Sequence, residues 1–138
     1  MTDMKKKLIM IIAIVLVVGA AGAYFFVLDK PSEKTYSFYE PGDYFVTNIK
    51  DSKALIKTTI VLELHADPKE MESINAYLKE NNHILRDIIV FTLRSKTEEE
   101  LRAQNIDETL RNEIVKSISE KMGIDYISAV YFNDYVIN

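Results

Sequence analysis

Leu8–Leu28 is a run of 21 residues without one charged side chain, and no other feature narrows the possible folds of this chain as far. At a helical rise of 1.5 Å per residue it spans about 31 Å, matching a hydrocarbon core of about 30 Å. Lys5, Lys6 and Lys7 stand directly before it, and basic flanks stay on the cytoplasmic side of a membrane. The expectation is a basic cytoplasmic head over 1–7 and a transmembrane helix from Leu8 to Leu28, with all that follows outside the cytoplasm. Tyr24, Phe25 and Phe26 fall near the outer end, where aromatic rings favour the headgroup region. A cleaved signal peptide competes, since Ala21-Gly22-Ala23 forms an A-x-A site behind an apolar stretch over 8–18. The run continues past that site to full spanning length, which a cleaved segment does not need, so an uncleaved anchor is preferred. Both readings put the folded domain outside the cytoplasm. Gly19, Gly22 and Ala23 are candidate helix-packing residues, because small side chains four apart let backbones approach closely in lipid.

The polar, proline-containing segment 29–34 reads as a short linker, leaving 35–138 as one small domain. Taking Lys5, Lys6, Lys7 and Asp3 from the totals leaves 14 basic against 20 acidic residues beyond the span, a net −6. So acidic a surface disfavours nucleic acid. With no cysteine, disulfides and thiolate chemistry are excluded. The domain has only Gly42 and Gly123, too few for a glycine-rich phosphate cradle. His65 with Asp67 has ligand-like spacing, but Asp67 serves better as a helix cap, and His83 sits alone; no metal site is expected. Ser95-Lys96 hints at a serine–lysine dyad, yet adjacent residues at a helix end rarely face each other. No enzyme, cofactor or small-molecule substrate is expected.

The element pattern is mixed. Tyr36, Phe38 and Tyr39 precede the turn cluster Glu40-Pro41-Gly42-Asp43. Strand-forming residues resume at Tyr44, and Leu55–Leu64 alternates so that Ile56, Thr58, Ile60, Leu62 and Leu64 share one face. The two read as a hairpin in a sheet with one face buried. Asp67-Pro68-Lys69-Glu70 reads as a helix start with Asp67 as N-cap. One bent helix or two follow, with Ile88-Ile89-Val90-Phe91 as the candidate core centre. Asp107 opens a last helix that Gly123 ends, and the chain finishes in a strand interrupted at Asn133-Asp134. The expected order is β-β-α-α-α-β. Strand aromatics are numerous, and Tyr36, Phe38, Tyr39, Tyr44, Tyr131 and Phe132 are candidate oligomer or partner contacts, since exposed rings mark contact surfaces.

Taken in order, the basic head, the span, Asp43–Ile49, Leu55–Leu64, Arg86-Asp87, Ser95-Lys96-Thr97 and the closing Val130–Ile137 with Tyr131-Phe132 resemble the flagellar basal body-associated FliL family. That resemblance implies a single-pass inner-membrane protein with a periplasmic α+β domain of the stomatin (SPFH) type. It further implies a non-enzymatic accessory part that self-associates into a ring around the ion-driven stator units, affecting torque, chemotactic swimming and swarming. No catalytic residue is carried over. The alternative is a membrane-anchored periplasmic scaffold or assembly factor unconnected with motility.

Overall fold

The computed structural model describes residues 3–28 and 32–138. It forms two compact units, which divide after Ser32. In the first, α1 (Asp3–Leu28) is a continuous helix of 26 residues with no buried side chain, and it is long and apolar enough to cross a membrane. The helix as described includes Asp3 and Lys5–Lys7, so the basic residues lie on its N-terminal turns, directly ahead of the uncharged run. Gly19, with no other group within 4 Å of an added Cβ, and Gly22 and Ala23 lie on its open surface. Of the expected linker, Asp29, Lys30 and Pro31 lie outside the described residues, and 32–34 carry no regular structure.

The second unit contains β1 (Thr35–Tyr39), β2 (Phe45–Asn48), β3 (Leu55–Ala66), α2 (Met71–Glu80), α3 (Asn82–Arg94), α4 (Glu98–Leu101), α5 (Ile106–Met122) and β4 (Ile127–Ile137). Two elements depart from the expected β-β-α-α-α-β order: the aromatic segment before Pro41 is a strand of its own, and a one-turn helix precedes α5. β3 is the centre of an antiparallel sheet. Its residues 62–66 pair with β1, 55–58 with β2, and 56–64 with β4. Because β4 occupies one edge of β3 along that length, β1 and β2 lie end to end on the other edge as one interrupted strand.

β3 alternates buried positions with exposed or half-buried ones throughout, as period-2 geometry requires. Ile56, Thr58, Ile60, Leu62 and Leu64 are fully buried, and Thr58 keeps its hydroxyl satisfied by donating to the Asp134 carbonyl. Against this face α3 places Leu85, Ile88, Ile89 and Leu93, and α5 places Leu110, Ile114 and Ile118, the three- and four-residue spacing of one helical stripe. Phe91 is an exception to the expected core centre. It is 54% exposed, because only Ile88 and Ile89 of that tetrapeptide fall on the covered stripe.

Local chemistry sets the boundaries. The expected helix start at Asp67 is displaced: α2 begins at Met71 after a turn in which Asp67 Oδ1 accepts from the Lys69 N–H at 2.9 Å. Asp67 therefore caps that turn, and Glu70 precedes the helix without a side-chain cap. The capping box forms instead at Thr97, whose hydroxyl accepts from the Glu100 N–H at 3.2 Å while the Glu100 carboxylate accepts from the Thr97 N–H at 2.7 Å. The helical pattern over 71–94 is two helices divided at Asn81. Gly123 ends α5 with φ +66°, a left-handed position that suits glycine. In β4, Asp134 pairs with Thr59 and Phe132 with Ile60, leaving Asn133 as the extra residue of a bulge at the expected interruption.

Candidate interaction surface

Within the second unit helices cover one face of the sheet, and among its described residues no element covers the other, the open face. On the open face β1 presents Tyr36 and Phe38, opposite His65 and Glu63 of β3; β2 presents Val46 opposite Lys57. β4 presents Tyr131 opposite Val61 and Val136 opposite Lys57. Tyr36 and Phe38 are 61% and 60% exposed, whereas Ile60 and Leu62, one residue away from Val61 on either side, are sealed.

These side chains are ordered against one another. The Tyr36 and His65 rings stack with centroids 4.4 Å apart, and Phe38 meets Tyr131 edge-on at 6.4 Å. Between them, Glu63 accepts from the Tyr131 hydroxyl at 2.9 Å and the Ser128 hydroxyl at 2.7 Å. The Glu63 carboxylate holds the Tyr131 phenol above its ordinary range, since the protonated phenol is the donor. Lys57 lies over the Tyr44 ring, 4.0 Å from its centroid.

The six aromatics expected at contacts thus divide. Tyr36, Phe38, Tyr44 and Tyr131 are exposed. Tyr39 and Phe132 are only partly exposed and pack on the core. Tyr39 donates to Asn82 Oδ1 at 3.0 Å, and burial raises its phenol pKa. Phe132 lies edge-on to Tyr135 and under the Arg111 guanidinium. The signal that separates the two groups is parity along the strand: Tyr39 and Phe132 fall opposite Leu62 and Ile60, in the buried register.

Arg86 has a structural role at the break between β1 and β2. Tyr39 pairs with Leu62 and Phe45 with Thr58, so residues 40–44 cover the length of residues 59–61. Two extra residues are looped out, and carbonyls at this break lose their ladder partners. Arg86 supplies replacements: Nη1 donates to the Pro41 carbonyl at 2.9 Å and Nη2 to the Tyr44 carbonyl at 2.9 Å. Asn82 adds a second bond to the Pro41 carbonyl at 3.0 Å, and the Arg86 guanidinium sits over the Phe45 ring. Gly42, at φ +142°, leaves room for this: a Cβ there would lie 2.2 Å from Arg86 Nη1.

Ser95, Lys96 and Thr97 close the other end of α3. The Ser95 hydroxyl donates to the Thr92 carbonyl at 2.7 Å, and Lys96 pairs with Glu113 of α5. The Lys96 carbonyl accepts from the Lys50 N–H at 3.0 Å, tying α3 to the β2–β3 loop. The Ser95 hydroxyl and the Lys96 ammonium are thus engaged with different partners. Asp87 is exposed on α3. Among the described residues no group of three or more metal-ligating side chains is assembled.

A family model described as "Flagellar basal body-associated protein FliL" matches residues 38–137, nearly the whole second unit. The "Flagellar protein FliL" of Aquifex aeolicus (strain VF5) is 29% identical over 94 residues, covering 67% of this chain and 56% of that relative. The chain therefore spans little more than half the length of the relative it matches. The family match takes in the end of β1, all of β2, the Arg86 clamp, the capping box and the bulged closing strand. With that architecture and that extent of match, the chain belongs to the FliL family of flagellar basal body-associated proteins.

Proposed function

We propose that this chain is a non-enzymatic accessory part of the flagellar motor, held in the inner membrane by α1 with its N-terminus cytoplasmic and its α+β domain in the periplasm. The observation that carries the reading is a family match over 38–137 on a domain whose sheet leaves one aromatic face open. Lys5–Lys7 in the first turns of α1, ahead of its uncharged run, support the orientation. In this reading the domain belongs to the stomatin type, copies assemble into a ring around the ion-driven stator units, and the open face makes the contacts. A ring multiplies weak contacts, so a modest face on each copy suffices. Gly19, Gly22 and Ala23 pack the anchor against neighbouring helices. The role affects torque, swimming and swarming.

The test is a deletion of the gene scored for swimming and swarming, with an in-frame fluorescent fusion imaged in the complemented strain. The expected result is weakened motility and fluorescence at flagellar bases. Normal motility with fluorescence spread over the envelope would reject the motor role.

A further inference from the structure

Glu63 stands apart from the other features of the open face. Its carboxylate sits mid-strand in the central β3, flanked by Tyr36, Phe38, His65 and Tyr131. Its two hydrogen bonds come from neutral hydroxyls, those of Ser128 and Tyr131. Among the described residues no Lys, Arg or His comes within ion-pair distance of it. The nearest cations make their ion pairs or ring contacts with other groups: Lys57 lies over the Tyr44 ring, Lys116 pairs with Glu120, and Arg111, close enough for its charge to act on Tyr131, reaches Asp107 at 3.8 Å and covers Phe132. An oriented carboxylate framed by aromatic rings is the arrangement that attracts an organic cation, because ring faces carry negative quadrupole charge and the carboxylate carries a full one.

We propose that this part of the open face receives a basic side chain, arginine or lysine, from a partner protein, with Glu63 as the charge partner and Tyr36, Phe38 and Tyr131 as the rings around it. Charge complementarity selects the occupant. The part of the chain beyond the span carries a net −6, which disfavours a second copy of the same acidic surface and favours a basic segment of another protein. The Ser128 and Tyr131 hydroxyls fix the carboxylate before the partner arrives, so little ordering is left for binding. The inference deepens the contact role given to the open face, and its test does not depend on motility.

The test uses the full chain in maltoside micelles with ¹³C-labelled tyrosine, titrated with acetyl-Gly-Arg-Gly-amide and with the citrulline analogue, which keeps the shape and loses the charge. The expected result is a saturable shift of the Tyr36 and Tyr131 ring signals with the arginine peptide. Binding should weaken at least about tenfold with the citrulline peptide, and equally in Glu63→Gln, whose ring stack of Tyr36 on His65 stays in place. Equal responses to the two peptides, or arginine binding unchanged in Glu63→Gln, would overturn the proposal. Shifts that track protein concentration without peptide would assign the face to a second copy. Stronger saturation by phosphocholine would assign it to a lipid headgroup. Either outcome would overturn the proposal as well.

Discussion

The two faces of the sheet are made by the same strands, a residue apart, and meet different surroundings. On the covered face, Ile60, Leu62 and Leu64 meet the stripes of α3 and α5 and are sealed. On the open face the neighbours Val61, Glu63 and His65 are partly exposed, and the rings around them stack edgewise or face to face without a covering element. Burial, and with it folding stability, therefore concentrates on one face. Substitutions on the two faces should separate stability from function.

The largest expected loss is on the covered face. Leu62→Ala removes a fully buried side chain from the central strand and should cost about 2–5 kcal/mol, measured by urea unfolding of the full chain in micelles followed by tyrosine fluorescence. Next comes the clamp at the strand break. Arg86→Ala leaves the Pro41 and Tyr44 carbonyls without their charged donor, for a loss of about 1–3 kcal/mol, with faster amide exchange over residues 35–44. Gly42→Ala should act in the same direction, because its Cβ displaces the guanidinium.

Thr97→Ala opens the capping box and should cost about 1 kcal/mol. The same box responds to acid. The Thr97 N–H and hydroxyl hold the Glu100 carboxyl below the usual carboxylate range. A depressed carboxyl contributes stability that is present above its unfolded pKa and lost as pH falls through the folded one. Wild type should therefore lose slightly more stability than Glu100→Gln as pH drops below the usual carboxylate range, in parallel unfolding titrations. Smallest of all in stability is Phe38→Ser on the open face, expected within about 0.5 kcal/mol of wild type. A large loss there would break the division between the faces.

How much of this is legible in the sequence follows the same division. Alternation in Leu55–Leu64 gives the buried face of β3 residue by residue, since period 2 admits one assignment once one face is apolar. Gly123 and the Asn133 bulge are also readable, each from a local rule. The start of α2 is not, because Asp67, Pro68 and Glu70 satisfy the capping pattern equally well as a turn placed before the helix. The Thr97–Glu100 box carries the same type of pattern and is easily passed over inside an acidic run. Tyr39 and Phe132 cannot be told from Phe38 and Tyr131 by composition; only the pairing register, fixed across strands far apart in sequence, separates them. Arg86 is visible as part of the FliL resemblance, but its purpose is not, for it depends on a strand break 42–45 residues away.

The most direct test of the central claim, that the open face is where this protein meets the motor, is complementation of the gene deletion with a Tyr36→Ser/Phe38→Ser double variant, scored for swimming and swarming. Protein level and membrane fraction are matched to wild type. The account predicts motility no better than the deletion strain, with the variant present, folded and membrane-bound. Full rescue by that variant, in a strain where the deletion itself impairs motility, would contradict it.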